Sequence, residues 1–342
     1  MARNYLDLSN LDLEDLITLQ CSIEGAVCSI LKIDIKRLVL GLEARMTKEM
    51  SEAWALSAKT ALDTGLADLD ARGYTSDSID SFLVMLGYKL KSPLTDKQAG
   101  IIKTRLKSIY IFSKEEASKE IKVGFNFSVI DQKAVDAVAG HQKFWIGSFF
   151  DEHLSQRIRE VSNDVLLNQG LSYREAGPIL RDAIRQEFGL GMSPGMSQFA
   201  PELPARYAGN PDLYFQQLAS VSGHQSRVIA RITQFAEAGV VTFQLINPMD
   251  ERTSPICREL NGTTFSIAYG TAQIQAIVAA DTPDAVKEAA PWLSAKDVKS
   301  IIGDSPRGSP EAAKKLAGRN IVLPPFHPRC RTEPVMISSG SM

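Results

Sequence analysis

The sequence predicts an α+β fold that is predominantly helical: a helical N-terminal region, a long helix, and a small C-terminal domain of short strands carrying an inserted helical segment. Three observations predict it. Apolar residues recur at steps of three and four along most of the chain. A short run rich in β-branched and aromatic residues, 240–246, follows Gly239. The 342 residues, 44% of them apolar, supply a sizeable core and about two domains by length.

Within 13–31, Leu16, Leu19, Ile23, Val27 and Ile30 trace a helix stripe on which Cys21 and Cys28 read as small buried hydrophobes. Thr75 and Ser78 precede the apolar run 79–86, and Gly87 reads as a helix stop. Ser113-Lys114-Glu115-Glu116 has the capping-box pattern, a hydroxyl for an orphan amide with a carboxylate three residues on, and predicts a helix start. Residues 1–148 are thus expected to form the helical N-terminal region, and 149–342 the second domain.

Phe150, Leu154, Ile158, Val161 and Val165 share one helix face that Gly170 closes. Ser172-Tyr173-Arg174-Glu175 opens a further helix with Ala176, Ile179, Leu180, Ala183 and Ile184 inward, so the pair reads as an αα-hairpin. Glycines and prolines then mark 188–210 as a loop or connector. Asn210-Pro211 supplies a cap and a first-turn proline for a long helix ending at Gly239, with Leu218, Val221, Val228, Ile232 and Phe235 inward. Residues 240–246 read as a strand closed by Asn247-Pro248. The insertion 266–320 carries helices near 283–290 and 295–302, and short β or extended pieces are expected around 321–323 and 335–337.

Lys+Arg 38 against Asp+Glu 40 leaves a net charge of -2, so no bulk positive field advertises nucleic acid. Any DNA contact must be local, and the most basic stretch is Lys97, Lys103, Arg105, Lys107 and Lys114. A mean hydropathy of -0.08 and no apolar run near the ~20 residues of a membrane span predict a soluble chain. The first residues lack an apolar signal segment, which makes a cytoplasm the expected compartment. Four cysteines are too few for a disulfide framework and are expected reduced.

Two segments carry the chemistry. One is Asp250-Glu251-Arg252-Thr253-Ser254-Pro255-Ile256-Cys257, leading to Leu260-Asn261-Gly262; the other is Pro324-Pro325-Phe326-His327-Pro328-Arg329-Cys330-Arg331. Together they resemble the signature of the Mu-F-like phage head-morphogenesis (minor head protein) family: an Asp-x-Arg-Thr turn, a Cys, a Gly-containing turn, then Pro-Pro-x-His-Pro-x-Cys-Arg. Asp250, Arg252, Thr253, Gly262, Pro325, Pro328 and Arg331 are the structural part of that signature. Gly170-Leu171-Ser172 and Arg227-Val228-Ile229-Ala230-Arg231 extend the resemblance over about residues 150 to 335. This chain departs from the family in having Ser254 where many members carry a second Cys, in lacking the acid of the Ala-Arg-Thr-Glu string after Arg231, and in a wide separation of the two halves.

Cys257, His327 and Cys330 offer two thiolates and an imidazole, suitable zinc ligands, with Asp250, His224 or water as the fourth. The same residues also read as a structural tie in which the imidazole is hydrogen-bonded and the thiols pack together. A third reading makes Cys257 a nucleophile, His327 its base and Asp250 the group that orients the ring. Asp250, Arg252 and Thr253 are expected to build a turn in which Asn247 and Asp250 bond backbone amides and Arg252 makes a bidentate pair with a carboxylate. Arg329 and Arg331 read as ion-paired surface, and His141 and His153 as ordinary helix histidines. A Walker-type pattern does not occur.

The resemblance implies a structural, non-enzymatic role: a phage or prophage minor head protein at the portal vertex, in the virion head or procapsid and in host cytoplasm during assembly. Its implied partners are the portal and other capsid or scaffold proteins. No cofactor is expected beyond a structural zinc. The competing classes are an effector or toxin-type enzyme and a DNA-contacting packaging accessory.

Overall fold

The computed structural model describes residues 35–73, 75–148 and 211–337, with 159, 160 and 164 between them. Elements run in the order α1 (Ile35–Arg72), α2 (Ser76–Ile121), α3 (Val129–Ser148), α4 (Pro211–Glu237), β1 (Thr242–Ile246), α5 (Pro255–Leu260), β2 (Thr264–Ser266), α6 (Ile267–Ala279), α7 (Pro283–Ala289), α8 (Ala295–Ile302), α9 (Pro310–Ala317) and β3 (Glu333–Met336). The fold is predominantly helical with one three-stranded antiparallel sheet, the α+β class the sequence predicts. The Cys21 and Cys28 stripe, the αα-hairpin, the 188–210 connector and His153 lie outside the described residues.

By packing, the chain divides into two compact units, each assembled from separate segments. One holds Met1–Glu43, Lys103–Val138 and Val221–Met342; the other holds Ala44–Ile102 and Ala139–Ser220. In the second unit Met46, Met50, Trp54, Ala58, Leu62, Leu66 and Leu69 of α1 form a buried stripe, and Ile79, Phe82, Leu83 and Leu86 of α2 are buried too. Gly65 is required there, since a Cβ at that position would lie 2.5 Å from the Phe82 ring and the Met85 methyl.

Two expected boundaries are corrected. α2 runs through Gly87, because a buried continuation through Ile102, Leu106, Ile109, Tyr110 and Phe112 outweighs the roughly 1 kcal/mol a helical glycine costs. Ser113 does not cap a helix: inside α2, its hydroxyl donates 2.7 Å back to the Ile109 carbonyl. Lys114 is fully buried, its Nζ held by Asp131 at 2.8 and 2.9 Å and by Glu237 at 2.9 Å. Lys107 is buried as well, over the Phe127 ring. Two members of the basic stretch are therefore withdrawn from the surface.

α4 starts at Pro211 and closes at Gly239, whose φ of 73° allows a Schellman-type end with Val240 N–H donating to Phe235 O. Its second half is buried nearly all round, with Val228, Ile229, Ile232 and Phe235 inward and Arg227 and Arg231 paired to Glu116. β1 is central in the order β2-β1-β3. Phe243 and Leu245 point into the core, and Phe243 faces Phe265 across the β1–β2 pair. Helices α6 to α9 fill the stretch between the two signature halves, capped as predicted by Thr282 and Ser294 at α7 and α8. Residues 321–323 are not a strand. They are a buried irregular segment whose Val322 and Leu323 amides donate to Gln273 Oε1 on α6, at 3.1 and 2.8 Å.

Candidate functional site

The β1–β3 register assembles the site. Ile246 pairs with Glu333, so continuing the ladder one position sets Asn247 against Thr332, and the Thr332 hydroxyl donates 2.7 Å to Asn247 Oδ1. Beyond that rung both strands leave the sheet, one as the turn into α5 and the other as the proline-rich segment 324–331. Ser254 caps α5 with Pro255 at its first position, which places Cys257 on the first turn. Asn247 Nδ2 donates 2.9 Å to the Cys257 carbonyl, and Asn261 Oδ1 accepts from the Asn247 amide. Gly262, at φ 79°, turns the chain so that its amide reaches Leu245 O at 2.8 Å.

Asp250 organises the turn. Its carboxylate accepts from the Arg252 amide, the Thr253 hydroxyl and a bidentate Arg331 fork at 2.7 and 2.5 Å. The fork, then the Thr253 hydroxyl and the Arg331 charge, hold the Asp250 carboxyl well below the usual carboxylate range. The arginine that makes the bidentate pair is therefore Arg331; the Arg252 side chain is largely exposed and only 3.8 Å from Asp250. Arg258 closes the turn by donating to the carbonyls of Asp250 and Thr253.

Cys257, His327 and Cys330 come together, their ligand atoms all within 4.8 Å of one another, so the cluster could hold a metal. Cys257 Sγ lies 3.7 Å from Cys330 Sγ and 3.1 Å from His327 Nε2. Ser254 Oγ is 2.8 Å from the same ring nitrogen, and Pro328 O is 2.7 Å from Nδ1. Pro325 is buried, its peptide to Pro324 is cis, and Phe326 beside it is buried as well. Hydrogen bonding from Cys330, and further help from Ser254, Thr332 and the Arg331 charge, outweigh burial and lower the Cys257 thiol to about 6. The same contact with Cys257, and burial, raise Cys330. Burial opposes a charged His327, but interaction with the Cys330 sulfur and the Pro328 carbonyl leaves it raised.

No protein-family model, curated protein or solved structure matches this chain.

The two residues expected as a fourth ligand or as the ring's orienter are engaged elsewhere. Asp250 is held by Arg331, and His224 Nε2 faces the Thr332 carbonyl at 2.9 Å. The group on His327 Nδ1 is a backbone carbonyl, not a carboxylate. Arg329 is exposed with a positive φ of 59°, and His141 is buried on α3. Sequence reasoning missed Thr332 and Arg258, and named Asn261 without its role as acceptor for the Asn247 amide. The signal that could have found them is adjacency to the motif ends, but hydroxyl and amide side chains are common in turns and do not stand out.

Proposed function

We propose that this chain is a structural protein of a phage or prophage head: a minor head protein associated with the portal vertex, assisting procapsid assembly and genome packaging or delivery. One observation carries the reading beside the resemblance of the two motifs. The halves 250–262 and 324–331, remote in sequence, interlock through Asp250 with Arg331 and Cys257 with His327 and Cys330. These side chains spend their hydrogen bonds on one another and on backbone, as a staple of the fold does. The cofactor that suits such a staple is a structural zinc ion on Cys257, His327 and Cys330. Portal, capsid and scaffold proteins are the partners of this reading, and the virion head or procapsid its location.

Mass spectrometry of purified particles and procapsids tests it. The chain is expected at a few copies per particle in a fixed ratio to the portal protein; absence from both preparations would falsify the assignment. A second reading, an effector-type enzyme with Cys257 as nucleophile, draws on its lowered thiol beside His327 Nε2. Normal folding of Cys257→Ala with clean loss of a turnover would favour the enzyme. A DNA-contacting accessory instead requires steeply salt-dependent binding through the 97–114 stretch.

A further inference from the structure

Zinc–sulfur bonds of about 2.3 Å place two sulfurs of a tetrahedral ion roughly 3.8 Å apart. Cys257 Sγ and Cys330 Sγ are 3.7 Å apart. A sulfur and an imidazole nitrogen on one ion lie about 3.5 Å apart, and the observed 3.1 Å between Cys257 Sγ and His327 Nε2 means that an ion opens this contact slightly. The ring is already set for ligation. A carbonyl only accepts, so the Pro328 oxygen at Nδ1 fixes the proton there and turns the Nε2 lone pair toward the sulfurs. Behind them the fully buried Thr332 hydroxyl lies 3.2 and 3.3 Å from the two thiols and bonds on to Asn247, the outer support that metal ligands ordinarily have.

A tetrahedral ion takes a fourth donor. Asp250 and His224 are engaged, and among the described residues no further Cys, His, Asp or Glu joins the cluster. The side chain bordering the remaining corner is Ser254, three residues before Cys257, with Oγ 2.8 Å from His327 Nε2. A neutral hydroxyl is not among zinc's usual ligands. Both cysteines are buried, whereas Ser254 and His327 are only half-buried, so this is the corner that solvent reaches.

Resting on the zinc reading above, we propose that the ion on Cys257, His327 and Cys330 keeps its fourth position, beside Ser254, for an exchangeable ligand: water, or a small soft anion such as a thiolate. The full chain loaded with cobalt(II) in place of zinc tests this by its visible spectrum. One cobalt per chain is expected, with sulfur-to-cobalt bands that persist in Cys21→Ser/Cys28→Ser and disappear in Cys330→Ser. Added mercaptoethanol shifts the ligand-field bands of the parent chain. Ser254→Cys closes the corner, removing that response and tightening zinc by roughly tenfold or more, whereas Ser254→Ala keeps the response. Failure of the parent chain to take up cobalt overturns the zinc reading itself. Stoichiometric uptake with a spectrum indifferent to added thiol leaves zinc standing and overturns the open position.

Discussion

Glu43 of α1 lies close against Gly223 of α4, where a Cβ would stand 2.7 Å from its Oε1. Burial raises the carboxyl to about 7, against the opposing charge of Arg227. A raised carboxyl contributes stability that is fully present below its unfolded value, near 4.5, and is lost as pH rises through about 7. Glu43→Gln is therefore expected to be more stable than the parent by on the order of 1 kcal/mol at about pH 8, and equal to it near about pH 4. Urea unfolding at the two pH values checks this, and a difference independent of pH would contradict it. Gln273 works differently, because every polar atom of its amide has a use: Nε2 donates to Ala289 O, and Oε1 accepts from Val322 and Leu323. Gln273→Leu strands three buried backbone groups and is expected to cost roughly 2–4 kcal/mol in a denaturant titration. Neither role was legible in the sequence, since a glutamine in a helix and a glutamate on a helix face look like solvated surface until the partner elements are placed.

Among elements, α6 is positioned by its smallest residue. A Cβ on Gly270 would meet Ile232 of α4 at 3.0 Å, Phe243 of β1 at 3.3 Å and Leu323 at 3.5 Å. Gly270→Ala is expected to destabilise by about 1–3 kcal/mol through overpacking, despite the better helix propensity of alanine; an unchanged or higher thermal midpoint would show that α6 can shift. The same competition of local preference with packing explains which boundaries were readable. Gly239, Thr282 and Ser294 mark real helix ends, because their caps are local chemistry. Gly87 and the Ser113 pattern do not, because burial of α2 beyond them decides, and a capping box is only an option until the neighbouring backbone leaves its amides free.

For the whole molecule, the zinc proposed on Cys257, His327 and Cys330 would tie segments 250–262 and 324–331 together, so metal and stability are expected to be coupled. Chelation is expected to lower the thermal midpoint of the full chain and added zinc to restore it, while Cys257→Ala starts low and responds to neither. A parent midpoint indifferent to chelator would leave the cluster a plain hydrogen-bonded tie. The sequence by itself determined the class of fold, the C-terminal end of α4 and the strand that precedes Asn247, since these follow from periodicity, caps and short-range spacing, whereas Cys257 was joined to His327 and Cys330 only by the resemblance of the two motifs. Only the tertiary structure decided that Arg331 rather than Arg252 grips Asp250, that a backbone carbonyl orients His327, and that Lys107 and Lys114 are buried. Those outcomes depend on strand register and on which charges lose their water, and both are set by elements far apart in the chain.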